Sequence, residues 1–293
     1  MNRNYRQGLW LFVLIVCLIV LQACSKVKEE TVATLADAIQ TSPQSGASDS
    51  TSEESSEASP EDTGPKIDTE TLKNTTGKTM IKSVTAKFGN HMSFAIVSKE
   101  GTVIVADPNH ISTENGLLQA DIITSSFINH SHQDAAFNSY NPNARISEMK
   151  AETFTVKDIT VTGVAASQST DPIVPEAPTN VIYVYEVDGL RIAYIGGLGQ
   201  DELTEDQLKE LGKLDIVLDY FNYAPSYNIK KDTTIKVMQQ LNPRIIIPTE
   251  YKAKVVEEIV EALKIKDQRE MDYLAVDKAD IEAIKEPAYI FLK

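Results

Sequence analysis

The stretch Ala120-Asp121-Ile122-Ile123-Thr124-Ser125-Ser126-Phe127-Ile128-Asn129-His130-Ser131-His132-Gln133-Asp134 frames the reading of the whole chain. From Asp121 to Ile128 it is an apolar, β-branched run with the length of a buried strand. Two histidines follow it, two positions apart. Residues so spaced on extended backbone point to the same side, so His130 and His132 can both face one ion. Asp134 falls where the chain turns and could add an oxygen. The competing reading is a polar strand end whose histidines are satisfied by backbone groups. His91 and His110, the other two histidines, read as surface or strand-end residues.

Working outward, further strand patterns appear on both sides. Ser83 to Phe88 alternates, and Ser93 to Ser98 and Thr102 to Ala106 are joined at Lys99-Glu100-Gly101. Downstream, Phe154 to Val156 and Ile159 to Val164 flank Lys157-Asp158. Val181 to Val187 and Leu190 to Ile195 flank Asp188-Gly189, a hairpin signal because both turn positions tolerate positive φ. The rhythm then changes. Thr204 can cap a helix with Gln207 three residues on. Asp215 to Leu218 is a short buried strand. Asp232 can cap a second helix carrying Ile235, Met238 and Leu241. Arg244 to Ile247 is a strand, and Val255, Ile259, Val260 and Leu263 form a third helical face. Antiparallel hairpins first and strand–helix units later are most simply buried as two sheets with outer helices.

The N-terminus reads as an export signal. Arg3 and Arg6 precede an apolar run from Leu9 to Leu21, and Leu21-Gln22-Ala23-Cys24 follows. A basic start, a short apolar core and a small residue before the cut make a secretory signal over residues 1–23. The run is shorter than the about 20 apolar residues a spanning helix needs, which weighs against an uncleaved transmembrane anchor. Cys17 would leave with the signal, so the mature chain has no cysteine pair to bridge. Residues 24–78 form an acidic tether rich in Ser and Glu, apart from a helical turn or two at Glu30 to Ile39. Such a segment cannot bury enough apolar area to offset its ordering entropy. As a flexible coil it would span about 40 Å. The folded domain is expected over residues 79–293. Lys and Arg number 28 against 42 Asp and Glu, a net charge of -14, which opposes nucleic-acid binding.

Two resemblances add to this reading. Leu21 to Cys24 resembles the bacterial lipobox, which implies acyl chains such as palmitate on Cys24. That would place the protein on the extracytoplasmic face of the cell membrane, since two or more chains anchor stably. The domain resembles the metallo-β-lactamase superfamily, in particular the branch of ascorbate-6-phosphate lactonase-like hydrolases. The likeness rests on Gly89-Asn90-His91-Met92-Ser93-Phe94, Asp107-Pro108, Ala120 to Ile123, Tyr194-Ile195-Gly196-Gly197-Leu198-Gly199 and Ile247-Pro248-Thr249-Glu250-Tyr251. It implies an α/β fold, the αββα sandwich.

It also implies hydrolysis by two metals, zinc or manganese, which activate a bridging water. That chemistry calls for a histidine- and aspartate-rich ligand set. Carried over by position, His130, His132 and Asp134 are kept. Ala135, Gln168, Gly197 and Glu250 stand where a histidine, a histidine, the bridging aspartate and the last histidine are expected. Alanine and glycine donate nothing, and loss of even outer-shell partners costs about 10–100-fold. The expectation is therefore a binding or scaffolding lipoprotein that has lost its dinuclear centre and needs no cofactor. The alternative is a hydrolase with one ion on His130, His132 and Glu250, with Asp134 as ligand or base. A third reading is a spacer. Tyr220, Phe221, Tyr223 and Tyr227 either line a cleft beside that centre or pack a loop. Ser93 lacks triad partners at suitable spacing, which disfavours a serine hydrolase.

Overall fold

A computed structural model describes residues 72–84, 93–109, 111, 118–127, 132–224 and 229–293. The described strands, in chain order, are β1 Thr79–Ser83, β2 Phe94–Val97, β3 Val103–Ala106, β4 Ile122–Ser125, β5 Arg145–Glu148, β6 Thr153–Val156 and β7 Ile159–Ala166. They continue as β8 Asn180–Val187, β9 Leu190–Tyr194, β10 Ile216–Phe221, β11 Ile245–Tyr251, β12 Asp267–Met271, β13 Leu274–Val276 and β14 Ala288–Leu292. The helices are α1 Ala135–Tyr140, α2 Glu205–Leu211, α3 Lys231–Leu241, α4 Ala253–Ala262 and α5 Lys278–Ala283.

The strands form two sheets, ordered β13-β1-β2-β3-β4-β5 and β12-β14-β11-β10-β9-β8-β7-β6. Alternation along each strand sends one set of side chains between the sheets. Phe94, Ile96, Ile104 and Ile122 from the first sheet meet Val181, Tyr183, Ile192, Ile216 and Ile247 from the second in one buried cluster. The opposite set faces the helices. Val184, Ala193, Val217 and Ile246 pack under Leu211, Val237, Met238, Ile259 and Val260. Ala95, Val105 and Ile123 pack with Phe137 of α1 on the outer face of the first sheet. Each fully buried Val, Leu, Ile, Phe or Met side chain among these contributes about 1.5–3 kcal/mol. The result is the expected αββα sandwich.

The hairpin expected at Asp188-Gly189 is present, with φ of 53° and 82° at the two turn residues. Thr204 and Gln207 form the expected reciprocal cap on α2. Two expectations need correction. The second helix is not capped at Asp232; it starts at Lys231, and Asp232 lies exposed in its first turn, where it still suits the helix dipole. The first sheet is not purely hairpin-built, because β3, β4 and β5 run parallel. The alternating pattern of Ser83 to Phe88 and the histidines His91, His110 and His130 fall at or beyond the edges of the described residues.

Parallel strands put several carboxyl ends along one edge of the sandwich, the usual place for a site in such sheets. Those of β3 and β4 come from the first sheet and those of β9, β10 and β11 from the second. At that edge β11 takes three steps from Pro248 to Tyr251 where β10 takes two from Asp219 to Phe221. The extra residue re-aims the strand end. Glu250 consequently meets Tyr220, while Tyr251 packs edge-on against Phe291.

Candidate functional site

Asp107 follows β3 with a φ of 47°, which turns its carboxylate back across the edge. The side chain is buried, and its two oxygens accept from the Ser126 backbone N–H at 2.6 Å and the Ser126 hydroxyl at 2.5 Å. The second of these oxygens also lies 2.6 Å from His132 Nδ1. A carboxylate only accepts, so Nδ1 carries the proton in this contact and Nε2 lies on the opposite side of the ring. Tyr194, from the end of β9, joins this network through Asp107 and Thr249, and burial holds its phenol well above the usual range. The His132 ring also sits 4.8 Å, centroid to centroid, from the Phe127 ring.

Phe127 leads to the other half of the site. A Cβ added at Gly197 would lie 3.5 and 3.7 Å from Phe127 ring carbons and 3.2 Å from Gln168 Nε2. Gln168 stands just past β7, so the amide has moved over the bare α-carbon where the resemblance calls for a bridging carboxylate. Its Nε2 is enclosed, with no hydrogen-bond partner among the described residues. Gly196 is pinned in turn, with φ of 70° and a virtual Cβ only 2.4 Å from Ser126 Oγ. Asn180 clasps the same turn, donating to the Ile195 carbonyl at 2.9 Å and accepting from the Gly197 N–H at 3.0 Å.

The remaining expected residues are placed as follows. Asp134 is the N-cap of α1 and accepts from the Phe137 N–H at 2.9 Å. Ala135 begins that helix and is exposed. Glu250 is buried, and one of its oxygens accepts from Tyr220 Oη at 3.0 Å and Asn222 Nδ2 at 2.5 Å. Phe221 is core, packed on Tyr289, and Tyr223 is exposed. Tyr227 and His130 lie outside the described residues. Ser93 is structural, donating to the Asp107 carbonyl and accepting from the Asn109 N–H. Among the described residues no three His, Cys, Asp or Glu side chains come together as an ion site.

The donor set thus separates two questions. The oriented Nε2 of His132 has the tautomer that metal-bound imidazoles need, with a carboxylate behind it. An ion there would need further donors, for which the sequence offers His130, Asp134 and Glu250. The half built from Gln168 and Gly197 does not fit a second ion, because an amide N–H faces the space and among the described residues no carboxylate bridges it. An ion on His132 would supply Lewis acidity and a more acidic bound water. Sequence reasoning singled out Asp107 only through its Asp-Pro motif. It missed Ser126, Phe127, Asn180 and Asn222, whose signal exists only in the contacts.

The family described as the beta-lactamase superfamily domain matches residues 85–250. A solved structure from Thermotoga maritima, described as a candidate Zn-dependent hydrolase of the metallo-beta-lactamase superfamily, is 23% identical. It covers 73% of this chain and 98% of that one, with a TM-score of 0.53, a likeness of fold. A candidate metal-dependent hydrolase from Parabacteroides distasonis is 20% identical over 63% of this chain and 93% of that one, with a TM-score of 0.46. A metallo-beta-lactamase fold protein from Bacillus subtilis is 8% identical over 73% and 97%, with a TM-score of 0.45. No curated protein matches the chain.

Proposed function

The chain belongs to the beta-lactamase superfamily through its domain at residues 85–250, and from that premise we propose that it is a lipid-anchored binding or scaffolding protein, not a two-metal hydrolase. The observation that carries this reading is Gln168 Nε2 at 3.2 Å from the Cβ position of Gly197. Two-metal hydrolysis needs a bridging anion at that place to hold both ions and balance their charge. Here the place is filled by a neutral donor. Fold and chemistry are separable, so the sandwich can persist as a display surface. The anchor rests on Leu21 to Cys24, which would hold the protein at the extracytoplasmic face of the cell membrane through acyl chains on Cys24.

A second reading, a hydrolase with one ion, is favoured by the His132–Asp107 contact. In it Asp107 holds the His132 ring and its proton on Nδ1, while Tyr220 and Asn222 orient the Glu250 carboxylate.

Metal analysis of the detergent-solubilised full-length chain, dialysed against zinc or manganese, tests both. The binding-module reading expects fewer than two equivalents and no chelator-sensitive turnover of lactone, ester or phosphodiester probes. One equivalent that disappears in His132→Ala, together with such turnover, would establish the one-ion hydrolase. Two tightly held equivalents would overturn the proposed function.

A further inference from the structure

Behind the site, on the helix side of the eight-stranded sheet, Asp219 is buried at 4% exposure. Its neighbours on β10, Val217 and Phe221, belong to the apolar layer under the helices. The carboxyl borders a cavity of about 10 Å³ walled by Leu198, Tyr220, Ile229, Thr233, Thr234 and Val237. A space of that size holds about one water. Among the described residues no other charged side chain lines it, and Tyr220 is the one other titratable group in the wall. Lys230 and Asp232 at the start of α3 are exposed, and Lys231 is paired with Glu258 at 2.9 Å. Across the ladder, β11 presents Pro248. Burial pushes the Asp219 carboxyl up to about 7.

The elements around this carboxyl differ in how firmly they are held. On one side β10 lies mid-sheet, hydrogen-bonded to β9 and β11. On the other, the N-cap of α3 is Lys230, which makes no side-chain capping bond. The Tyr220 backbone N–H gives the carboxyl one hydrogen bond, which is too little for the ionised form at this burial; it must find water, and the cheaper wall to move is the uncapped helix start. Tyr220, next along β10, and Asn222, just past its end, hold Glu250.

We propose that Asp219 is a proton-operated latch beneath the site. Neutral, it lets Ile229 and the first turn of α3 sit down on β10 and keeps Tyr220 and Asn222 aligned on Glu250. Ionised, it draws water into the cavity and loosens that seat. The latch does not depend on what the site binds, because its readout is local opening.

Hydrogen exchange followed by mass spectrometry on the full chain, corrected for intrinsic rates, tests it. If opening releases the Asp219 proton, protection of peptides covering 216–222 and 229–237 should fall about tenfold per pH unit between about pH 5 and 7 and level off above. Peptides from β2 and β8, which open only with the whole domain, should stay better protected than these at every pH. Asp219→Asn should remove the pH dependence, and Asp219→Leu serves if the amide variant does not fold. A wild-type profile that is flat over this range, or a pH dependence retained in the variants, would overturn the latch.

Discussion

Gly196 and Gly197 adjoin in the chain but meet different surroundings. A methyl on Gly196 would strike Ser126 Oγ and Cβ and Asn180 Oδ1, all within 2.7 Å, at a φ of 70°. A methyl on Gly197 meets the movable end of Gln168 at 3.2 Å. Urea titrations should therefore show Gly196→Ala losing about 2–4 kcal/mol and Gly197→Ala under about 1 kcal/mol. Equal losses would mean that the close-packed turn is wrongly described. Asp219 gives a second expectation at this scale, one of sign. Its carboxyl titrates near 7 when folded against an ordinary 3.8. Between those values the native state holds a proton that the unfolded chain has released. Stability should then fall as pH rises through this window, by roughly 4 kcal/mol at most, and stay low above it. Thermal melts of Asp219→Asn should lack that decline, and a parallel decline in both proteins would refute the assignment.

Helix ends show which elements rest on local sequence and which on packing. α2 and α5 carry reciprocal capping boxes, from Thr204 with Gln207 and from Asp277 with Asp280. α3 and α4 have Lys230 and Lys252 at their N-caps, with no side-chain capping bond. A lysine there also opposes the positive end of the helix dipole. Lys230→Ser should stabilise the protein by about 0.5–2 kcal/mol in denaturant unfolding. No gain would show that α3's first turn is already satisfied by tertiary contacts. This contrast also explains what could be read locally. Thr204 was legible because the cap is a four-residue signal. The true start of α3 was not, because Thr233, Thr234 and Val237 hold it by burial against β10 and its neighbours. The strand β12, Asp267–Met271, was invisible for a related reason. It is a charged edge strand, held by its ladder to β14 and not by an apolar face.

For the molecule as a whole, the N-terminal reading makes the simplest demand. Cys24→Ser should abolish acyl labelling and release the protein from the membrane fraction, and unchanged retention would defeat the anchor. Among the described residues no helix is long and apolar enough to cross a membrane. Hydrophobic alternation, the Asp188-Gly189 turn and the later helical periods were enough to specify two sheets with outer helices, because burial acts on patterns that each segment carries alone. The substitutions at Ala135, Gln168, Gly197 and Glu250 were equally readable, since a missing donor atom is a property of the residue. What tertiary structure alone decided is where those residues stand relative to one another. Gln168 closes over Gly197, Glu250 turns to Tyr220 and Asn222 through an extra residue in β11, and Asp107 reaches His132 across two strand ends. Such contacts join groups far apart in the chain. Their strength depends on distance and exclusion of water, which exist only once the sheets have packed.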